Sequence, residues 1–134
     1  LIAGSAYGRQ APTSVFSPMF YLAVELEPGA TLELPDEHAE RALYVVEGEV
    51  EVDGDTHTAG RMLLFGEGAP AAVRARAWSR LMLLGGAPMD GPRHIWWNFV
   101  SSSADRIERA KADWRDGRFA AVPGDDERIP LPEG

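Results

Sequence analysis

The sequence has no cysteine, no basic cluster and no long apolar run, and each absence removes a class of function. Without cysteine the chain forms no disulfide and offers no thiolate ligand or cysteine nucleophile. No apolar run reaches the roughly 20 residues that a membrane-spanning helix needs. The opening residues also lack the basic start and apolar core of a signal peptide. The net charge of −8 opposes binding to nucleic acid phosphates, and no Lys/Arg cluster is present to attract an anionic membrane.

The composition that remains is ordinary for a globular domain. The chain has 134 residues, of which 45% are hydrophobic and 25% are charged. We therefore interpret residues 1–134 as a single domain. The lack of cysteine fits a reducing compartment, so we expect the protein in the cytoplasm. The chain begins with Leu1 rather than methionine, and we expect it to be a fragment of a longer protein.

Most of the chain before Val100 alternates between apolar and polar residues, as half-buried strands do. Val50 and Val52 share one face of such a run, whereas Glu49 and Glu51 share the other. Many short strands at close spacing predict an all-β fold, namely an antiparallel β-barrel or a two-sheet β-sandwich. Two-residue turn signals separate the runs at Pro28-Gly29, Asp53-Gly54 and Ala59-Gly60.

One helix is predicted near the end of the chain, within Ser103 to Asp116. We expect Ser102 to be its N-cap, with Asp105 complementing the positive end of the helix dipole. Gly117 is a suitable C-terminal stop. An apolar stripe would cover one end or face of the barrel, and it consists of Ile107, Ala110 and Trp114. The Pro/Gly-rich tail from Val122 onward is expected to be extended along the surface.

For two groups of side chains the sequence allows more than one role. Arg74 and Arg76 share a strand face, so they either pair with the Glu49 and Glu51 row across a sheet or bind an anion. A second group consists of His94, Trp96, Trp97 and Asn98. Adjacent residues of a strand point to opposite faces, so with both Trp residues in a strand one is expected to fill the barrel core and the other to pack under the helix, against Trp114. The alternative is an aromatic-lined pocket with His94 and Asn98 as polar groups.

The glycine spacing from Gly29 to Gly48 resembles the first cupin motif, in which two His and one Glu between the glycines hold a metal ion. Those three positions are occupied here by Pro35, Glu37 and Arg41. Proline has no ligand atom, and arginine is a cation. The His of the second motif, centred on TAGRMLLF, corresponds to Leu63.

A register shift by one residue would place Asp36 and His38 in the first pair but recovers no other ligand. We expect His38 and His57 to be surface residues. The comparison with the cupin motif thus predicts no metal ligand, no cofactor site and no catalytic residue in this chain.

The segments GPRHIWWNFVSSS, ADW, GRF and VPGDDERIPLP resemble the C-terminal region of bacterial pirin-like proteins. The resemblance implies a bicupin in which iron lies in an N-terminal barrel, held by three His and one Glu. It also implies relationship to quercetin 2,3-dioxygenase-like enzymes or to transcriptional co-regulators. We therefore expect a non-catalytic, metal-free C-terminal cupin domain, whose partner is the N-terminal cupin of the same parent. Alternatives are part of a metal-dependent oxygenase, or a small-molecule-binding barrel without metal.

A homodimer is also expected, because a barrel separated from a bicupin exposes its former interface. The segment Leu1 to Tyr21 has no obvious place in a lone barrel, so we expect it to lie extended across a neighbouring copy. The alternative is that it folds back on its own barrel or stays disordered.

Overall fold

Short strands dominate the computed structural model, which describes residues 1–68 and 71–132. Twelve strands and one helix are present in those residues. The strands are β1 (Ala3–Ala6), β2 (Arg9–Gln10), β3 (Met19–Leu26), β4 (Thr31–Glu33), β5 (Glu40–Glu47), β6 (Glu49–Val52), β7 (Asp55–Thr58), β8 (Met62–Phe65), β9 (Ala72–Ala75), β10 (Ser79–Gly86), β11 (His94–Trp96) and β12 (Phe99–Ser101), and the helix is α1 (Ala104–Arg115). The chain divides into two compact units, Leu1–Pro88 and Met89–Gly134.

The first unit is a sandwich of two antiparallel sheets. One sheet has six strands in the order β2-β1-β3-β10-β5-β8, and the other has four in the order β4-β9-β6-β7. A single hydrophobic cluster joins their inner faces, with Phe20, Leu43 and Leu83 from the larger sheet and Val50 and Val73 from the smaller one. The all-β prediction is therefore confirmed, in its sandwich form rather than as a closed barrel.

The predicted turns lie where the sequence placed them. Asp53 and Gly54 both have positive φ, at 51° and 89°, in the tight turn between β6 and β7. The alternation of β6 is also confirmed, because Val50 and Val52 are buried and Glu49 and Glu51, which alternate with them, are half-buried. Arg76 forms an ion pair with Glu51 across this sheet, as one of the two readings of the arginines predicted.

The N-terminal segment folds back on its own domain, as the second of its two predicted arrangements has it, and the homodimer stays a prediction. Ala3 and Gly4 of β1 pair with Tyr21 and Phe20 of β3, so the segment extends the six-stranded sheet of its own chain. Its own turn, Tyr7-Gly8, leads back into β2. The partner strand could not be named from the sequence, because the pairing joins residues about 16 positions apart without a local signal in between.

The second unit consists of the β11–β12 hairpin, α1 and the tail. The helix lies within the predicted bounds, and Gly117 with a φ of 71° ends it. The N-cap is Ser103, not Ser102, and its side chain makes no capping hydrogen bond. Ser103 N–H instead donates to the Ser101 hydroxyl, at 3.1 Å. The tail is irregular through residue 132 and exposed except at Leu131, which is half-buried, and its last two residues lie outside the described ones. No helix in the described part of the chain is long and apolar enough to cross a membrane.

Candidate functional site

The four positions that correspond to cupin metal ligands lie on or beside β4, β5 and β8. Pro35 follows β4 and is fully buried. Arg41 lies near the start of β5, opposite Phe65 of β8 and Gly85 of β10. Leu63 is half-buried and packs against the hydrophobic core. Three of these positions therefore carry side chains without a ligand atom for a cation, as the sequence indicated.

Arg41 is the unusual member of this group, because its charged side chain is only 5% exposed. One terminal guanidinium nitrogen donates to the Gly66 carbonyl at 3.0 Å. The residue points inward because it shares the face of β5 that carries Leu43 and Val45. A buried guanidinium is retained only where hydrogen bonds replace its hydration. The bond to Gly66 thus ties the segment after β8 to the inner face of the sheet.

Glu37 is the one carboxylate among the four positions, and it is exposed. Its Oε1 accepts a hydrogen bond from the Gly8 amide at 3.3 Å. Its own backbone N–H, helped by those of Gly8 and Tyr7 and by the charge of His38, holds the pKa of this carboxyl below its usual value. Tyr7 donates its hydroxyl to the Glu33 carbonyl at 2.5 Å. Burial, with the charges of Glu37 and Glu33, raises the pKa of the Tyr7 phenol.

The histidines are more tightly held than the sequence suggested. His38 was expected on the surface, yet it is half-buried, with its ring centroid 5.3 Å from that of Phe20. Its Nε2 lies 2.9 Å from the Ser5 carbonyl, so this nitrogen carries a proton and donates it. A protonated ring nitrogen is not a metal ligand. His57 is half-buried on β7, opposite Val50 in the register.

An open cavity of about 710 Å³ lies beside these residues. Pro35, Glu37 and Arg41 line it, whereas Leu63 is not among its lining residues. Sequence reasoning missed Tyr7, because the N-terminal hairpin that carries it had no predicted place. The acidic side chains of the lining outnumber the single guanidinium, and they are Glu33, Asp36, Glu37 and Asp53.

The side chains at the four positions that correspond to cupin ligands do not fit a bound metal ion. A first-row metal in a cupin needs several imidazole or carboxylate ligands that converge on one point. Within residues 1–68 and 71–132, no group of three or more His, Cys, Asp or Glu side chains is placed to hold an ion. The buried guanidinium of Arg41 would in addition repel a metal ion bound beside it.

The aromatic group of the second unit agrees in part with the predicted packing. Trp97 and Asn98 form the two-residue turn between β11 and β12, and Trp97 has a φ of 51°. Neither Trp of this pair is fully buried, since Trp96 is half-buried and Trp97 is exposed. The Trp97 ring does pack against Trp114 of α1, at 5.2 Å between centroids, as one reading expected. Trp96 stacks near Phe99, at 6.2 Å, so both indoles belong to one aromatic cluster.

Comparison with protein families decides the relationship. The model of the pirin C-terminal cupin domain matches residues 21–120. The chain belongs to this family. A pirin-like protein of Caulobacter vibrioides is 52% identical over 134 residues, which are 99% of this chain and 46% of that protein. The family assignment made from the C-terminal motifs is thus confirmed.

Solved structures support the same fold. Two crystal structures titled quercetin 2,3-dioxygenase, both from Acinetobacter baumannii, are similar to this pirin C-terminal domain. One has a TM-score of 0.81 and 24% identity, covering 98% of this chain and 46% of its own. The other has a TM-score of 0.79 and 25% identity, covering 90% and 43%. The chain therefore spans less than half the length of these relatives.

Proposed function

We propose that this chain is the non-catalytic, metal-free half of a two-cupin protein, and that it supports an N-terminal cupin of the same parent. The observation that carries the proposal is the buried Arg41 guanidinium at a position where metal-binding cupins have a carboxylate ligand. Pro35 and Leu63, at two further ligand positions, supply no donor atom. The length of the pirin-like relatives, about twice that of the matched segment, supports a partner domain in the same protein.

The charge of Arg41 supports the proposal, because it opposes a divalent ion at this position. Two unit charges 4 Å apart interact by about 4 kcal/mol at an effective dielectric constant of 20, so a dication would be repelled by about 8 kcal/mol. The carboxylate that Arg41 replaces would attract the ion by a similar amount. Quercetin 2,3-dioxygenase-like chemistry, if the parent performs it in the cytoplasm, therefore belongs to the other cupin in this proposal.

Metal analysis of the purified chain tests the proposal directly. The chain is incubated with iron, nickel, zinc or copper, desalted and analysed by mass spectrometry for bound metal. We expect far less than one equivalent of each metal and no quercetin turnover. A control protein joins the N-terminal half of the C. vibrioides relative to residues 1–134, and this joined protein is expected to retain about one metal ion. Near-stoichiometric metal on residues 1–134 alone would overturn the proposal.

The open cavity favours a second candidate, a binding site for a small polar molecule. Its volume of about 710 Å³ lies within the range of small-molecule sites, about 300–1,000 Å³. The excess of carboxylates over guanidinium in its lining favours neutral or cationic ligands over anions. Thermal-shift screening with neutral polyols, amines and carboxylates tests this candidate. Glu37→Gln should weaken the binding of any cationic ligand. Stabilisation by carboxylates alone would contradict the charge argument.

A further inference from the structure

The cavity beside Glu37 lies within the first unit, and its walls are joined by hydrogen bonds. The Gly8 amide, in the hairpin of β1 and β2, donates to the Glu37 carboxylate at 3.3 Å. The Leu34 amide, just after β4, donates to the Ala71 carbonyl at 2.9 Å. All four residues line the cavity. Bonds between segments this far apart in the chain hold the walls in place, so the cavity is formed before a ligand binds, as small-molecule sites usually are.

The lining of the cavity separates its charges by depth. Its buried residues are apolar except for Arg41, which is only 5% exposed. We call these residues the floor, and they are Leu34, Pro35, Arg41 and Ala71. The carboxylates of the lining are all exposed. We call them the rim, and they are Glu33, Asp36, Glu37 and Asp53. Because an arginine stays charged in a protein, the floor holds a permanent positive charge while the rim is negative.

This order of charges selects among classes of ligand. A carboxylate without a second charge is attracted by the floor but repelled by the rim. An amine without a second charge is attracted by the rim, but it offers no acceptor to the guanidinium of Arg41. A molecule with a carboxylate and an ammonium at opposite ends of an apolar chain complements both parts of the cavity. Its chain would contact the apolar side chains of the floor, such as Leu34 and Pro35.

We propose that the cavity binds an aliphatic ω-amino carboxylate, with its carboxylate toward Arg41 and its ammonium toward the rim. The inference deepens the second candidate function, a site for a small polar molecule, and rests on it. The ligand has no net charge, which suits a lining that disfavours anions. Glu37 can accept from the ammonium as well as from Gly8, because a carboxylate has about four acceptor sites. Free ω-amino acids and peptides that end in lysine share this chemistry.

An NMR titration of residues 1–134 tests the ligand class, and the dispersion of the amide signals verifies that the chain is folded. The probe is 6-aminohexanoate, compared with pentylamine, which lacks its carboxylate, and with hexanoate, which lacks its ammonium. We expect 6-aminohexanoate to shift the Gly8 and Glu37 amide signals with a Kd of about 10 mM or less. Each single-charge compound should bind at least about fivefold more weakly. Nα-acetyllysine represents a C-terminal lysine, and tighter binding of this compound than of 6-aminohexanoate would assign the site to peptides.

Substitutions assign the two ends of the ligand to the two parts of the cavity. Glu37→Gln should weaken 6-aminohexanoate by about two- to fivefold without weakening hexanoate. The matched control is Glu27→Gln, which removes an exposed carboxylate outside the lining and should change the affinity by less than about twofold. Arg41→Met should remove the advantage of 6-aminohexanoate over pentylamine, whereas Arg41→Lys, which keeps the charge, should retain part of it. The comparison with pentylamine in the unsubstituted chain tests the same end of the ligand, so the result does not depend on the folding of an Arg41 variant.

Three results would overturn the inference. Equal affinity for 6-aminohexanoate and pentylamine would show that the charge of Arg41 does not contribute to binding. Equal effects of Glu37→Gln and Glu27→Gln would show that the rim does not hold the ammonium. Binding of neutral polyols without binding of 6-aminohexanoate would refute the ligand class but leave the second candidate function standing, whereas binding of no compound would refute both. The metal analysis decides independently whether the chain is a metal-free half.

Discussion

Gly48 and Gly29 match the two glycines of the cupin motif, but the space that a Cβ would have differs between the two positions. Both have positive φ, at 88° and 86°. At Gly29 a Cβ would meet no atom within 4 Å, whereas at Gly48 it would overlap the Trp78 carbonyl oxygen and lie 2.5 Å from the Ser79 hydroxyl. Substitution by alanine at either position incurs the left-handed backbone penalty of about 1–2 kcal/mol. Only Gly48→Ala adds overpacking, which costs about 1–3 kcal/mol more.

Ser79 makes the overlap at Gly48 more costly. Its hydroxyl is fully buried and lies 2.9 Å from the Ala77 carbonyl and 3.1 Å from the Glu49 carbonyl. It also accepts from the Glu49 amide at 3.2 Å. A methyl group at position 48 would displace this hydroxyl, so hydrogen bonds at the start of β6 would weaken as well.

Urea unfolding followed by circular dichroism checks the difference between the two variants. We expect Gly29→Ala to lower the free energy of unfolding by about 1–2 kcal/mol and Gly48→Ala by about 2–5 kcal/mol, with unchanged m-values. Thermal melting of the same proteins gives an independent ranking. Equal destabilisation by the two substitutions would refute the reasoning, because it would mean that the close approach of Gly48 to Ser79 carries no energy.

Three further substitutions have defined outcomes. Glu37→Gln should lower the melting temperature at pH 7, and this loss should shrink as the pH is lowered. The lowered pKa of Glu37 means that its contribution is present above the unfolded pKa and lost as the pH falls through the folded one, so a loss that does not change with pH would contradict the argument. Trp114→Phe removes the indole N–H that donates to the Ile129 carbonyl at 2.8 Å. It should cost about 1 kcal/mol and speed proteolysis of the tail, whereas unchanged proteolysis would contradict a role in holding it. Arg76→Ala should change stability by less than about 1 kcal/mol, since its ion pair with Glu51 is partly exposed, and a larger loss in urea unfolding would contradict this estimate.

Local signals in the sequence predicted most of the sandwich. Hairpin turns such as Asp53-Gly54 require positive φ at adjacent residues, and few residue types provide it cheaply. The helix could be bounded within one residue at each end because Gly117 stops it and the apolar stripe has helical spacing. Its N-cap was misplaced by one residue, since three consecutive serines offer equivalent hydroxyls to the first turn.

The errors came from contacts that no short segment encodes. Trp97 was read as part of a strand because bulky aromatics favour strands, but it occupies the left-handed region beside Asn98, which is itself a turn former. His38 was read as exposed because its neighbours are polar. Its partner, the Ser5 carbonyl, lies 33 residues earlier in a hairpin that had not been placed. Tyr7 was missed for the same reason.

The six-stranded sheet shows why periodicity alone does not always predict which face of a strand meets the core. A strand with one face in the core and the other in solvent alternates between apolar and polar residues. β6 does so, and its orientation was therefore predictable. In β10, Leu81 to Leu84 are all apolar, so the sequence could not tell which face meets the core. The register now shows that Leu81 and Leu83 face the core, and Met82 and Leu84 therefore face outward. The missing alternation in β10 therefore left the orientation of this strand open until its pairing with β3 and β5 was known.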